Sequence, residues 1–244
     1  MTASSPSAAR AEVLARIRRA VGDSSAVEQP YARVPRSYRN AGGGGRPGEA
    51  GSPQTVALFL ERIADYGASA RLVDADAAPS AIAEALAGRS AGTVVVPNGF
   101  PEPWRAGLAG VLVLGDDPPA GPAALDAVDG AVTTAATAVA ATGTFVLDGG
   151  PGQGRRALTL VPDYHLCVIP ADRIVRSVPQ ALARLDPVRP LTFVSGPSAT
   201  SDIELKRVEG VHGPRTLEVL VVVEPPPPPP LPGDHRPIDD PAEP

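Results

Sequence analysis

Cysteine, lysine and histidine are scarce in this sequence. One cysteine (Cys167), one lysine (Lys206) and three histidines (His165, His212 and His235) stand among 244 residues. A single cysteine excludes an internal disulfide and a cysteine-ligated zinc or iron–sulfur centre. A three-histidine metal site would need His235 from the tail, so the sequence predicts a chain that binds no metal. Any redox chemistry then requires a bound cofactor or a partner protein.

Long apolar runs are also absent, since no stretch approaches the roughly 20 residues needed to span a bilayer. The Ala-rich run 131–141 is diluted by threonines, and the first residues, MTASSPSAAR, lack the basic start and apolar core of a signal peptide. We therefore expect a cytoplasmic protein that does not bind membranes. Residues 1–46 carry a net charge of +5, residues 224–244 carry −4 and the middle carries −6. This balance offers no basic footprint to nucleic acid.

Thirty prolines and 25 glycines are too many for a compact fold throughout, and they divide the chain into three regions. Residues 1–52 contain one amphipathic helix, predicted over Arg10–Val21, followed by a Gly/Pro-rich connector. Residues 53–223 form the predicted core domain. Residues 224–244 hold six consecutive prolines and several acids, a composition typical of a disordered, extended arm.

Helix and strand patterns alternate along the core domain. Helices are predicted over Thr55–Tyr66, Pro79–Leu86, an Ala/Thr-rich run ending near Ala141, and Asp172–Leu185. Strands are predicted over Ala70–Val73, Val94–Val96, Val111–Leu114, Thr144–Leu147, Ala157–Val161, His165–Ile169, Leu191–Val194 and Thr216–Val223. Repeated βα units predict an open, largely parallel α/β sheet with helices on both faces. The consecutive strands in the middle predict an antiparallel excursion.

The densest polar segment is TGTFVLDGGPGQGRRALTLVP, residues 142–162. Its glycines allow backbone N–H groups to approach a ligand, and its two adjacent arginines can bind a carboxylate or phosphate. The spacing matches neither the dinucleotide fingerprint nor the phosphate loop, and a solvent-exposed hairpin is the structural alternative. The candidate ligand-binding residues here are Thr142, Gly143, Thr144, Gly152, Gly154, Arg155 and Arg156.

A second candidate segment is LTFVSGPSATSDIEL, residues 191–205. An apolar strand ends at its Ser-Gly-Pro turn, and a helix is predicted beyond, where Ser201 and Glu204 are spaced as a capping box. A turn from strand to helix at the carboxyl edge of a sheet is a common ligand crevice, and helix amides there can bind an anion. The candidate ligand-binding residues here are Ser195, Gly196, Ser198 and Thr200.

A third segment, EGVHGPR, places His212 beside a Gly-Pro turn. His212 is the candidate proton-transferring group near neutral pH, with Asp202 or Glu204 as further acid/base groups. His165 lies within a predicted strand, which is more typical of a structural histidine, and Cys167 on the same face is expected to be buried. We expect the three segments to converge on one pocket at the carboxyl edge of the sheet.

The segments TGTFVLDGGPGQGRRALTLVPDYHLCVI and PLTFVSGPSATSDIELKRVEGVHGPRTLEVLVV together resemble the LUD domain of the lactate-utilisation protein C family. The head helix AEVLARIRRAVG and the PRSYR stretch are similar to the start of that family. The resemblance covers about residues 11–223 and is most specific after residue 142. It implies an open α/β fold like that of the CoA-transferase and sugar-phosphate isomerase group.

The resemblance also implies a three-protein system that oxidises L-lactate to pyruvate, in which the other two members resemble iron–sulfur proteins. This chain would be the subunit without a cluster, binding a small anion such as lactate or assembling the complex. Relatives commonly carry a glutamate just before TGT, whereas Ala141 stands here, which argues against CoA-transferase chemistry. Two alternatives stay open: a free-standing enzyme on a small carboxylate or phosphorylated substrate, using His212 with Asp202 or Glu204, and a ligand sensor.

Overall fold

The computed structural model describes residues 6–21, 50–200, 208–209 and 213–223. The chain divides into two units, Met1–Gly42 and Gly43–Pro244. Helix α1 (Pro6–Val21) is the described part of the first unit, and it contains the predicted helix. Residues 10–21 of this helix are exposed. No helix among the described residues is long and apolar enough to cross a bilayer.

The described part of the second unit contains four α-helices and twelve strands. The helices are α2 (Pro53–Asp65), α3 (Ala78–Gly88), α4 (Pro122–Asp126) and α5 (Val178–Leu182). The strands are β1 (Ser69–Asp74), β2 (Thr93–Val95), β3 (Leu112–Leu114), β4 (Gly130–Thr133), β5 (Thr137–Val139), β6 (Thr144–Leu147), β7 (Tyr164–Pro170), β8 (Ile174–Val175), β9 (Thr192–Val194), β10 (Ala199–Thr200), β11 (Val208–Glu209) and β12 (Thr216–Val223). Short 3₁₀ turns span Ala75–Ala77, Glu102–Leu108, Ala140–Thr142, Arg156–Thr159 and Ala171–Arg173.

A six-stranded sheet in the order β1-β12-β7-β4-β2-β3 forms the centre of this unit, and every neighbouring pair is parallel. The predicted parallel α/β sheet is therefore confirmed. A second sheet, in the order β8-β5-β6-β9, contains the antiparallel excursion, because β6 runs antiparallel to both β5 and β9. Strands β10 and β11 form a separate antiparallel pair.

Alternate residues of the central strands enter two apolar cores on opposite faces of the six-stranded sheet. On β7, Leu166 and Val168 pack with α3 on one face, whereas Cys167 and Ile169 pack with α2 and β6 on the other. Burial on both faces explains why these strands are continuous apolar runs. Ser52 caps the start of helix α2, and its side chain accepts a hydrogen bond from the backbone N–H three residues later.

Three predicted elements differ in the structure. The Ala/Thr-rich run ending near Ala141 forms β4 and β5 rather than a helix, and its apolar residues are buried in several apolar cores of the unit. The strand predicted over Ala157–Val161 lies mostly in a 3₁₀ turn. The helix predicted over Asp172–Leu185 is reduced to α5, since Ser177 and Gln180 form a capping box that starts the helix only at Val178.

Candidate functional site

A cavity of about 150 Å³ lies beside β9, at the amino-terminal ends of β7 and β12. We call it the Arg156 cavity. The sequence predicted that the site lies at the carboxyl edge of the sheet. For Arg156 and the turn after β9 this position is wrong, because the cavity lies at the amino-terminal ends of the parallel strands and β9 belongs to the second sheet. The polar lining of the cavity comes from three segments of the chain: Arg156, Thr159, His165, Thr192, Ser195 and Ser198.

Arg156 is the cationic residue of this cavity. Its Nη1 donates to the carbonyl oxygen of Thr159 at 2.9 Å and to Thr159 Oγ1 at 3.2 Å, which holds the guanidinium against the 3₁₀ turn. None of the ion pairs among the described residues involves Arg156. A guanidinium group at the lining of a cavity can bind a carboxylate.

His165 borders the cavity from the buried side. The residue is 1% exposed, and its ring packs edge-to-face against Phe145 with 5.8 Å between the centroids. Its Nε2 lies 2.8 Å from Thr133 Oγ1. Burial, together with the positive charge of Arg156, lowers the pKa of His165 to about 3. The imidazole is therefore neutral at physiological pH.

The TGT motif, residues 142–144, contacts Ser195, which lines the cavity. Thr144 Oγ1 lies 2.8 Å from Ser195 Oγ, and Thr142 Oγ1 donates to Thr144 Oγ1 at 2.8 Å. Between them Gly143 has a φ of 56°, and a Cβ there would lie 2.5 Å from the backbone nitrogen of Ile63. Glycine is needed here so that β6 can approach α2. Thr142 and Thr144 lie behind Ser195 and outside the cavity lining.

Arg155 belongs to a second cavity, of about 540 Å³, formed by the loops that follow β2, β3 and β6. Its Nε and Nη2 donate to the carboxylate of Asp116 at 2.8 and 2.9 Å, and Arg189 Nη1 donates to Asp148 at 2.7 Å. Burial opposes ionisation of both aspartates, but the hydrogen bonds from the arginines lower their pKa values. Arg155 and Arg156 thus line different cavities.

The candidate glycines are divided in the same way. Gly154 lines the second cavity and Gly196 lines the Arg156 cavity. Gly152 lies in neither lining, and its backbone bonds to Asn98 and Thr134, both at 2.8 Å, tie the loop to the end of β4. The predicted glycine-rich loop therefore has a structural role at Gly152.

The catalytic candidates Asp202, Glu204 and His212 lie outside the described residues, and so does the side chain of Thr200. Their roles stay predictions. The backbone just after Ser198 forms β10, and the helix predicted with the Ser201–Glu204 capping box lies outside the described residues. Gly213, next to His212 in the chain, lines the Arg156 cavity.

Several residues around the two cavities were not predicted from the sequence. Thr133 is a buried polar residue at the end of the apolar strand β4. A polar residue in that position of the sequence could have indicated a functional or hydrogen-bonded side chain. The pairings of Arg155 with Asp116 and of Arg189 with Asp148 join loops about 40 residues apart. No local pattern indicates them.

In the described part of the chain, no group of three or more His, Cys, Asp or Glu side chains is arranged to hold a metal ion. Cys167 is buried, and burial raises the pKa of its thiol to about 12. A protonated thiol in the core is a poor metal ligand. The absence of a metal in this chain stays a prediction.

The LUD domain family matches residues 123–222. Lactate utilization protein C of Deinococcus radiodurans is 44% identical over 225 residues, which cover 91% of this chain and 99% of that protein. Lactate utilization protein C of Halalkalibacterium halodurans is 36% identical over 91 residues, which cover 34% of this chain and 39% of that protein.

A solved structure is also similar. The crystal structure of a DUF162 family protein from Deinococcus radiodurans matches with a TM-score of 0.59 and 41% sequence identity, over 69% of this chain and 96% of that chain. The 44% identical relative is matched over nearly its whole length. This chain therefore belongs to the lactate utilization protein C family of LUD-domain proteins.

Proposed function

We propose that this chain is the cluster-free subunit of a cytoplasmic L-lactate utilisation system and that it binds a small carboxylate in the Arg156 cavity. The observation that carries the proposal is the 44% identity to a lactate utilization protein C across 99% of that protein. Similarity over a whole relative supports a shared role better than a shared domain does.

The chemistry of the cavity supports a small anionic ligand. Arg156 supplies a guanidinium group to its lining, and the side chains of Ser195 and Thr159 also line it. A cavity of about 150 Å³ in another protein accepts benzene, a molecule of about six heavy atoms. Lactate and pyruvate have the same number of heavy atoms, so the volume of this cavity suits either acid.

The sequence supports a need for partner proteins. Oxidation of lactate to pyruvate removes two electrons, which a protein side chain does not store. The single cysteine cannot hold an iron–sulfur cluster. We therefore propose that iron–sulfur proteins accept the electrons and that this chain contributes to binding the substrate and assembling the complex.

Growth on L-lactate tests the role of Arg156. A strain lacking this gene would be complemented with the wild type, with Arg156→Ala and with Arg215→Ala, whose arginine pairs with Asp163 on the surface outside the cavity. We expect growth with the wild type and with Arg215→Ala but not with Arg156→Ala. Full growth with a folded Arg156→Ala protein would contradict the proposed binding site.

Co-purification tests the partners. The tagged chain, isolated from cells grown on lactate, should bring iron-containing proteins with it, and the sample should be brown. A colourless preparation of this chain alone that oxidises lactate by itself would favour a free-standing enzyme. The same colourless preparation without activity would leave the complex unsupported.

A further inference from the structure

Three buried side chains form a hydrogen-bonded series beside the Arg156 cavity. Thr133 Oγ1 lies 2.8 Å from His165 Nε2 and donates to Cys167 Sγ at 3.8 Å. The three residues are adjacent because β4 and β7 pair in parallel, with Thr133 opposite Cys167. A hydroxyl group has one proton, so a threonine that donates to sulfur offers only lone pairs to the histidine.

This series favours one tautomer of His165. With Thr133 donating to Cys167 Sγ, Nε2 of His165 carries the proton that it donates to Thr133, and Nδ1 of the neutral ring carries a lone pair. Among the described residues Nδ1 has no hydrogen-bond partner. No buried side-chain nitrogen or oxygen in the described part of the chain is left without one. Nδ1 therefore keeps a small exposed area, on a residue that lines the cavity.

We propose that His165 makes the Arg156 cavity selective for α-hydroxy acids over α-keto acids. The carboxylate of the ligand binds the guanidinium of Arg156, and its α-hydroxyl group donates a hydrogen bond to Nδ1 of His165. This inference rests on the proposed function, since it concerns the same cavity.

The selectivity follows from the hydrogen-bonding capacity of the two kinds of acid. The hydroxyl group of lactate has a proton to donate, whereas the keto oxygen of pyruvate only accepts. In the cavity a keto oxygen would face the Nδ1 lone pair, and both acceptors would be left unsatisfied away from water. The lowered pKa of His165 keeps the ring neutral, which preserves this arrangement at physiological pH. The cavity would thus distinguish the reduced acid from its oxidised product.

Calorimetric titration of the purified full-length chain with four acids tests the proposal. L-lactate and glycolate represent the hydroxy acids, and pyruvate and glyoxylate represent the keto acids. We expect each hydroxy acid to bind at least about tenfold more tightly than its keto counterpart. A hydrogen bond to Nδ1 forms with the hydroxy acid, whereas two acceptors stay without a donor in the complex with the keto acid. Equal affinities would overturn the proposal, and a preference for the keto acids would show that Nδ1 carries the proton.

Two matched variants assign the selectivity to the series. Thr133→Ser keeps the hydroxyl group and should keep the preference. Thr133→Val removes the group that orients His165 and should reduce the preference to less than about threefold. An unchanged preference in a folded Thr133→Val protein would contradict the role of the series.

His165→Phe provides an independent variant, since a phenyl ring can occupy the apolar position beside Phe145 without offering Nδ1. It should bind L-lactate at least about tenfold more weakly, with a smaller change for pyruvate. Circular dichroism would confirm that each variant is folded. Failure of the wild type to bind any of the four acids would remove the ligand assignment of the cavity together with this inference. Binding without preference would overturn this inference alone.

Discussion

Arg155 and Arg156 are adjacent and identical, yet they contact different parts of the molecule. Arg155 precedes the 3₁₀ turn in an extended conformation, whereas Arg156 is the first residue of the turn. Because the backbone changes direction between them, the side chain of Arg155 binds Asp116 and that of Arg156 lines the Arg156 cavity. The sequence identified both as anion-binding candidates, but the division between them depends on a turn that was predicted as a strand.

The burial of Asp116 leads to a prediction about stability. Arg155→Ala should lower the free energy of unfolding by about 1 kcal/mol, a value that allows for the partly exposed guanidinium. The side chain of Asp116 is 10% exposed and would lose its ionic partner. Arg215→Ala is the matched control, because Arg215 makes a similar two-point pair with Asp163, whose side chain is 53% exposed.

Urea unfolding at neutral pH would measure both variants. We expect a smaller loss for Arg215→Ala, of less than about 0.5 kcal/mol, since water largely replaces the partner of an exposed carboxylate. Equal losses in the two variants would contradict the importance of burial at Asp116.

His165 should make stability depend on pH. Its pKa is about 6.5 in the unfolded chain and is lowered to about 3 in the fold by burial and by Arg156. The unfolded state therefore binds more protons between these values, so stability falls as the pH falls from about 6.5 towards 3. Between pH 7 and pH 5 the expected loss from this residue is about 2 kcal/mol.

The measurement is urea unfolding at pH 7 and pH 5, with His165→Phe as the control that lacks this titration. The wild type should lose about 2 kcal/mol more than the variant over this interval. Asp116, Asp148 and Asp163 have lowered pKa values, so their stabilising effect is lost only as the pH falls below about 4. An identical loss in both proteins would show that His165 is not held neutral.

Elements with clear boundaries were predicted well from the sequence. The limits of β6 and β12 agree with the predicted ones, because each is an apolar run between turn residues or polar segments. The helix predicted for the Ala-rich run was wrong. Alanine favours helices in isolation, whereas Ala131 and Ala138 are buried in strands of two sheets. The division of the strands into two sheets was not predictable, since β5 pairs with β8 across more than 30 residues.

Gly143 lies just before β6 and packs closely against the backbone of α2, so its replacement should destabilise the fold. Gly143→Ala should lower the free energy of unfolding by at least about 2 kcal/mol, since the new Cβ would clash with backbone atoms of Arg62 and Ile63 at 2.5 Å. Gly149→Ala is the control, because its φ of 71° is also positive but the nearest atom lies 3.7 Å from the added Cβ. This control should cost about 1 kcal/mol for the left-handed backbone alone.

Urea unfolding of both variants separates the clash from the backbone cost. The difference between them is the expected contribution of close packing between β6 and α2. Similar losses in Gly143→Ala and Gly149→Ala would mean that α2 shifts to accommodate the methyl group.

At the scale of the molecule, the Arg156 cavity depends on the arrangement of two sheets. Arg156, Ser195, Gly196 and Ser198 were candidates from the sequence, and the structure brings them to one cavity. Their meeting point was predicted at the wrong edge, because the rule for ligand crevices applies to loops of a single parallel sheet. Here β9 supplies a wall from the second sheet, at the amino ends of β7 and β12.

The last prediction concerns the end of the chain. Removal of residues 224–244 should change the melting temperature by less than about 2 °C, since six consecutive prolines and several acids supply few apolar groups and few backbone donors. Strand β12, in contrast, lies between β1 and β7, and Leu220, Val221 and Val222 are at most 1% exposed. A chain that ends at Val219 should therefore lose its cooperative thermal transition. Scanning calorimetry of the two truncated chains would compare them. A fall of more than about 5 °C for the chain that ends at Val223 would mean that the acidic tail packs on the domain.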